Sequence, residues 1–411
     1  MLFYGLVGEN LTHSFSKRIH SMLGNYFYDL FSVDKNKFGE LINKREFGGL
    51  NITIPYKQSV LPMCDVLSDN AREIGSVNTV VNKNGKLYGY NTDYLGFNYM
   101  LKENGFDLAN KKVLILGGGG TSLTASVCAK NAGASEVVVV SRSGKNNYEN
   151  ISKHFDSQIV INTTPVGMFP NNSQSLINLS NFEKCVGVVD VIYNPLSSRL
   201  LLQARELEIP YCNGLLMLVA QAKYASELFF DTNIPDEKIM QIYKTLSFDL
   251  SNIILIGMPS CGKTRIGKQL ASTLNRPFID TDAMIESNAK MTIPEIFEKY
   301  GETEFRRLEE IAIKSAGAKN GVVIATGGGA VLKKENCYNL KQNGTMVFIK
   351  RDIEKLSSKG RPLSQNPEAI KALYNQRLPI YNRCGDIIVL NNNSVDNCVQ
   401  NIIEELEEAF I

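Results

Sequence analysis

The sequence has no run of about 18 apolar residues that could cross a bilayer. Its opening Met1-Leu-Phe-Tyr-Gly-Leu-Val reads as an immediate strand, without a charged stretch leading into a long apolar one. Charge of neither sign dominates. Lys and Arg number 44 against 42 Asp and Glu, and the net charge of +2 argues against nucleic acid as a partner, although a local basic cluster could still serve a phosphate site. The eight cysteines contain no C-x-x-C pair and share no metal-like spacing with the three histidines, so they read as reduced, mostly buried apolar residues. No internal repeat or low-complexity stretch occurs. The expectation is a soluble cytoplasmic protein acting on small molecules, with no membrane partner. At 411 residues and 44% hydrophobic composition, it has material for more than one core.

What is present is α/β patterning. Short β-branched runs recur at Leu2 to Val7, Leu50 to Ile54, Val113 to Leu116, Val137 to Val140, Ile159 to Ile161, Val186 to Ile192, Val322 to Ala325, Met346 to Ile349 and Ile387 to Leu390. Such continuous runs suit parallel strands buried on both faces. Asn82-Lys-Asn-Gly85, between Asn78 and Tyr90, predicts a hairpin turn instead. Tyr243 to Asn252 carries no Pro/Gly-rich linker, so the first half is expected to run through a helix directly into the second. The expected domains are 1–248 and 249–411. Within the first, a substrate lobe spans about 1–100 plus 213–248 and a nucleotide lobe about 101–212.

Two glycine turns carry chemistry. Gly257-Met-Pro-Ser260-Cys261-Gly262-Lys263-Thr264 follows the run Ile253 to Ile256 and is a complete G-x-x-x-x-G-K-T phosphate loop. Its backbone N–H groups would cradle a polyphosphate at a helix N-terminus. Lys263 would reach the β- and γ-phosphates and Thr264 would ligate Mg2+. The other turn, Gly117-x-Gly119-x-x-Ser122, is an imperfect dinucleotide fingerprint with serine in the third glycine position. It lies between a strand and a helix, and the next strand ends in Ser141-Arg142-Ser143-Gly-Lys145. A carboxylate at that strand end would read an NAD ribose, whereas two hydroxyls and two cations suit the 2′-phosphate of NADP.

Ser14-Phe-Ser16, Asn51-Ile-Thr53-Ile-Pro55-Tyr-Lys57, Gly75-Ser-Val-Asn78-Thr79 and Asn91-Thr-Asp93-Tyr-Leu-Gly96 resemble the motifs of shikimate dehydrogenase. So do Asn162-Thr-Thr-Pro-Val-Gly167-Met168, Asp190-Val-Ile-Tyr193-Asn-Pro195 and Gly214-Leu-Leu-Met217-Leu-Val-Ala-Gln221. The resemblance covers the whole first half. It implies a two-lobed enzyme with a Rossmann-like NADP lobe that reduces 3-dehydroshikimate with NADPH. Ser14, Ser16, Asn51, Thr53, Asn78, Tyr193 and Gln221 would hold the substrate, with Lys57 as acid/base and Asp93 as its partner. Gly117, Gly118, Gly119, Gly120, Thr121, Ser141, Arg142, Ser143, Lys145, Val191 and Gly214 would meet the cofactor. A lone lysine after a strand is ordinarily a solvated charge; Lys57 differs because of the motif around it. Hydride arriving at a ketone creates an alkoxide that needs a positioned acid. Lys17 stands where the family carries proline, and Ser141 where it carries asparagine.

The second half resembles shikimate kinase over residues 252–411, a P-loop fold with a parallel sheet and flanking helices. Its motifs are the phosphate loop, Asp280-Thr-Asp282, Glu304-Phe-Arg306, Ala325-Thr-Gly327-Gly328-Gly329, Gly360-Arg361-Pro362-Leu363 and Arg377-Leu-Pro379-Ile-Tyr381, the last expected to open a helix. The resemblance implies that Ser260 through Arg265, with Arg361, bind ATP, and that Lys263 and Arg361 stabilise charge on the moving phosphoryl group. Thr264 and Asp280 would serve Mg2+. Asp282 would hold the substrate hydroxyls and accept the nucleophile's proton, while Arg306 and Arg377 would grip its carboxylate and Gly328 would admit its ring. The segment around Arg361 is short, and Ser364 replaces a leucine. Together the halves imply consecutive steps: dehydroshikimate to shikimate, then shikimate to shikimate 3-phosphate. A ligand-sensing first half, quinate with NAD, an inactive nucleotide-binding second half and a kinase of another sugar acid remain alternatives on sequence alone.

Overall fold

The computed structural model describes residues 2–9, 11, 14–356 and 367–410. The chain forms two compact units. The first comprises Met1–Met168, Gln174–Tyr193 and Gln203–Thr245, and the second Phe169–Ser173, Asn194–Leu202 and Leu246–Ile411.

The opening lobe contains β1 (Phe3–Gly8), α1 (Ser16–Leu23), β2 (Tyr28–Ser32), α2 (Lys35–Lys44), β3 (Phe47–Ile52), β4 (Val66–Leu67), α3 (Asp69–Ile74), β5 (Thr79–Lys83), β6 (Lys86–Tyr90) and α4 (Thr92–Glu103). Its six-stranded sheet runs β2-β1-β3-β5-β6-β4. Strand alternation divides the apolar residues between the faces. Val7 and Val80 enter one core with Ile42, Phe47 and Leu87. Their neighbours Leu6 and Val81 enter another with Ala225 and Phe229. Both faces are thus covered. The expected hairpin joins β5 and β6 through Asn84 and Gly85 at φ 53° and 80°, a two-residue turn whose twist suits antiparallel strands.

A second sheet follows from β7 (Lys112–Leu116), α5 (Gly120–Asn131), β8 (Glu136–Val140), β9 (Ile159–Asn162), β10 (Gly187–Asp190), α6 (Arg199–Glu206) and β11 (Tyr211–Cys212). Its order, β11-β10-β9-β7-β8, is parallel throughout. The strand order reverses between β7 and β9, where a doubly wound sheet opens a ligand crevice. The next helix, α7 (Leu215–Phe230), returns to pack on α4, α1, β3 and β5. It is followed by α8 (Glu237–Leu250).

The second unit contains β12 (Asn252–Ile256), α9 (Lys263–Thr273), β13 (Phe278–Asp280), α10 (Thr281–Ala289), α11 (Ile293–Gly317), β14 (Val323–Ala325), α12 (Lys334–Lys341), β15 (Gly344–Lys350), α13 (Pro367–Cys384), β16 (Ile387–Leu390) and α14 (Val395–Phe410). Its parallel sheet runs β13-β14-β12-β15-β16 around a core that includes Ile253 to Ile256 and Met346 to Ile349. One expectation fails in detail. Arg377 does not open a helix: α13 starts at Pro367 and holds Pro379 inside it. Proline favours a first turn, but here the helix forgoes one hydrogen bond to carry it.

Candidate active sites

In the first unit, a cavity of about 560 Å3 collects all the expected substrate residues: Ser14, Ser16, Asn51, Thr53, Lys57, Asn78, Asp93, Tyr193 and Gln221. Thr121, Val191 and Gly214, expected at the cofactor, share its wall. Lys57 Nζ meets Asp93 Oδ2 at 2.6 Å, with the side chains 16% and 11% exposed. Asp93 lies in the first turn of α4, whose dipole favours its charge. Burial pushes the Tyr193 hydroxyl up from its ordinary pKa. Met168, Met217 and Leu218, which lie in the motifs but were given no role there, add apolar wall.

A buried hydrogen-bonded chain holds the two asparagines. Tyr28 donates to Asn51 Oδ1 at 2.7 Å, and Asn51 Nδ2 donates to the Thr79 hydroxyl at 3.0 Å. That hydroxyl donates to Asn78 Oδ1 at 3.1 Å, and Thr92 N donates to the same oxygen at 2.6 Å. Asn78 Nδ2 in turn donates to Thr92 Oγ1 at 3.0 Å. Each amide is therefore fixed in one orientation before substrate arrives. His20 stacks on Tyr28 with ring centroids 3.7 Å apart. Desolvation lowers the His20 pKa to about 3. The helices bearing Asp93 and Gln221 touch closely because Gly96 has no side chain; a Cβ there would lie 2.7 Å from the Met217 carbonyl oxygen.

The nucleotide side is built at the ends of β7 and β8. Gly117 has φ 118°, and the serine in the third glycine position closes the turn, Ser122 Oγ donating to the Gly117 carbonyl at 2.8 Å. Space above Gly119 is open, and a Cβ on Gly118 would come within 3.3 Å of Ser141, so the two turns lie side by side. Gly120 and Thr121 begin α5, and Arg142, Ser143 and Lys145, which follow Ser141 in the other turn, are exposed. An anion at this helix start with a second phosphate beside Arg142 and Lys145 fits NADP. Gly214 N donates to Ile192 O at 3.0 Å, and a Cβ on Gly214 would lie 2.0 Å from the Val191 carbonyl oxygen.

In the second unit the ends of β12, β13 and β14 supply the site. The phosphate loop reaches α9 through Gly262 at φ 101°. Ser260 has φ 66°, Cys261 is buried, and Arg265 is exposed at the start of α9. Lys263 Nζ donates to the loop's own Gly257 and Met258 carbonyls at 2.8 and 2.9 Å. Thr264 Oγ1 donates to Asp280 Oδ2 at 2.7 Å, while Asp280 Oδ1 accepts from Asp282 N and Ala283 N at 3.0 and 3.3 Å. A hydroxyl beside a carboxylate suits Mg2+, which keeps waters and phosphate oxygens in its shell. No larger His/Cys/Asp/Glu metal group occurs among the described residues.

The triple-glycine turn is ringed by the expected substrate residues. A Cβ on Gly327 would stand 2.7 Å from Asp282 Oδ1 and 3.0 Å from Glu309 Oε1, and one on Gly329 would stand 2.3 Å from Arg306 Nη1. Gly328 faces Pro259 of the phosphate loop, where a Cβ would sit at 2.7 Å. Tyr381, one turn after Arg377, donates to the Gly328 carbonyl at 2.5 Å. Glu309 was not singled out by sequence. It lies one turn beyond Arg306 on α11 and receives its guanidinium at 2.7 Å. Burial raises the Glu309 pKa. Among the described residues Arg377 Nε and Glu309 Oε1 are buried without a hydrogen-bond partner, which makes them candidates to face a polar ligand. Arg361 lies outside the described residues.

Comparisons with known proteins match each half of the chain to a family. Residues 6–80 match the family described as shikimate dehydrogenase substrate binding domain, and residues 259–407 match shikimate kinase. The shikimate dehydrogenase (NADP(+)) of Clostridium beijerinckii is 37% identical over 261 residues, or 59% of this chain and 96% of that protein. A chorismate mutase/shikimate 5-dehydrogenase fusion protein from Clostridium acetobutylicum aligns with TM-score 0.57 at 33% identity, over 60% of this chain and 97% of that one. A Thermus thermophilus shikimate 5-dehydrogenase in complex with NADP(H) and shikimate gives TM-score 0.54 at 27% identity, over 60% and 99% of the respective chains. Among the described residues, no helix is long and apolar enough to cross a membrane.

Proposed function

This chain belongs to the shikimate dehydrogenase family and carries a shikimate kinase domain over residues 259–407, and we propose that its two sites work on one ring in succession. It is a bifunctional shikimate-pathway enzyme using NADP(H), ATP and Mg2+. Residues 1–248 would perform the reduction and 249–411 the phosphorylation. The eight free cysteines suit a reducing compartment, and we place the protein in the cytoplasm.

The observation that carries the residue assignments is the Lys57–Asp93 pair at 2.6 Å in a cavity walled by hydroxyls and fixed amides. NADPH, when bound, supplies the hydride. Asn51, Asn78 and Gln221, with the Ser14, Ser16 and Thr53 hydroxyls, orient the ring through its hydroxyls and carboxylate. Tyr193 closes the cavity beside them. Lys57 gives its proton to the oxygen of the reduced carbonyl, and Asp93 keeps the ammonium aimed there. In the second unit Arg306 and Arg377 hold the ring carboxylate, while Asp282 holds the acceptor hydroxyl and takes its proton. Lys263 would exchange the loop carbonyls for the moving phosphoryl group, and Thr264 with Asp280 would hold Mg2+, which would supply charge neutralisation for the phosphates.

The test supplies the whole chain with dehydroshikimate, NADPH and Mg-ATP, following NADPH absorbance and shikimate 3-phosphate together. Wild type should form the phosphate ester. Lys263→Ala should oxidise NADPH at the wild-type rate, accumulate shikimate and lose at least about a hundredfold in phosphorylation. Absence of NADPH consumption from protein that still phosphorylates added shikimate would reject the reductive half of the proposal.

A further inference from the structure

Next to the turn that follows the triple glycine, two thiols meet. Cys337 on α12 and Cys384 at the end of α13 place their Sγ atoms 3.5 Å apart, although 47 residues separate them in sequence. The same Cys337 Sγ lies 3.4 Å from the Val331 carbonyl oxygen, just past the glycines, and the neighbouring Asn336 side chain donates to Ala330 O at 2.9 Å. Cys384 ends the helix that carries Arg377 and Tyr381. The two sulfurs therefore tie the chain on one side of the acceptor turn to the helix on the other. Both are free thiols, Cys337 half-buried and Cys384 buried.

We propose that Cys337 and Cys384 form an oxidation site, at which a peroxide joins the two sulfurs into a disulfide that slows phosphoryl transfer and spares the reductive half. This rests on the second unit acting as the kinase, which the reduced protein tests separately. One thiolate attacks hydrogen peroxide, its sulfur is oxidised to the sulfenic acid, and hydroxide leaves. The second thiol attacks that sulfur, the S–S bond forms and water leaves. The balance is two thiols and one peroxide to one disulfide and two waters.

The microenvironment favours this pair over the other thiols. Burial pushes up the thiols of Cys64, Cys128, Cys185, Cys212 and Cys398. Cys384 moves the other way: the hydrogen bond it shares with Cys337 lowers it, with Lys341 and Arg383 near, while the same contact raises Cys337. A thiolate is the form that peroxide attacks. Closing the bond to its length of about 2.05 Å draws the two segments together by roughly 1.5 Å. A shift of that order at a positioned acceptor costs about a hundredfold in favourable cases.

The experiment treats the whole chain with graded hydrogen peroxide and removes the excess. It then assays NADPH oxidation with dehydroshikimate and, separately, phosphorylation of added shikimate. Peptide mapping locates cross-links, and dithiothreitol follows. Cys337→Ser, Cys384→Ser and Cys384→Ala are run alongside. We expect a Cys337–Cys384 cross-link, a fall of at least about tenfold in kinase kcat/KM for shikimate, unchanged dehydrogenase activity and full recovery on reduction. All three variants should keep their kinase activity through the same treatment. A cross-link without kinase loss, an equal loss in the serine variants, or oxidation of other thiols before this pair would each overturn the proposal. A reduced wild type without kinase activity would instead reject the proposed function.

Discussion

Replacing Lys57 by alanine isolates the reductive chemistry from everything else the chain does. The Lys57 ammonium sits 2.6 Å from Asp93, and among the described residues no second cation lines that cavity. Its loss removes the proton donor for the forming alcohol, a contribution of about 10²–10⁴ in rate, or roughly 3–5 kcal/mol at 1.36 kcal/mol per tenfold. Stability should suffer less. Asp93 loses its ion-pair partner but keeps the first turn of α4 and gains water from the cavity, so a cost of about 1–3 kcal/mol is expected. The assay is steady-state NADPH oxidation under saturating dehydroshikimate, with phosphorylation of added shikimate as a control in the same tube. Kinase activity should match wild type while dehydrogenase kcat falls by two to four decades and KM changes little. A dehydrogenase kcat within about threefold of wild type would refute the assignment of Lys57 as the acid.

Two more expectations concern buried ionisable groups. Desolvation lowers His20 to about 3 in the folded chain against 6.5 ordinarily, so below pH 6.5 the unfolded chain takes up a proton that the folded chain refuses. Stability of the first unit should therefore fall by about 1.4 kcal/mol per pH unit from 6.5 towards 3, and His20→Gln should flatten that slope. Urea unfolding read by circular dichroism checks this, the first unit's transition being identified by its shift with added NADPH. In the second unit, Glu309→Ala removes the carboxylate that holds Arg306. KM for shikimate should rise by about tenfold or more with KM for ATP unchanged, and Glu309→Gln should fall between, since it keeps the shape and one hydrogen bond.

Much of the site was legible because its chemistry is concentrated at strand ends, where glycines, hydroxyls and cations stand out against apolar runs. The phosphate loop and the Asn84-Gly85 hairpin declared themselves through residues that few other backbones require. What escaped depends on packing. The strand β2 reads Tyr-Asp-Leu-Phe-Ser and, among the described residues, pairs only with β1 at the sheet edge, so it shows no long apolar run. The helix α13 was hidden by Pro379, a residue that ordinarily marks a beginning. Glu309 is one of many glutamates on α11, and only its burial against Arg306 and the glycine turn separates it from its solvated neighbours. The serine after the first glycine turn read as a departure from a fingerprint, yet its hydroxyl closes that turn.

The lysine of the phosphate loop is bonded to two carbonyls of the very loop it serves. An ammonium 7% exposed and tethered in this way acts as a placeholder for the nucleotide. The loop carries an internal counter-charge that keeps its carbonyls from water and its curve from opening. Arrival of a polyphosphate then becomes an exchange, in which one set of acceptors hands the cation to another. Ordering of the loop is already complete at that moment, so little chain entropy remains to be lost on binding. The same lysine thereby shapes the cradle and grips the phosphates it receives.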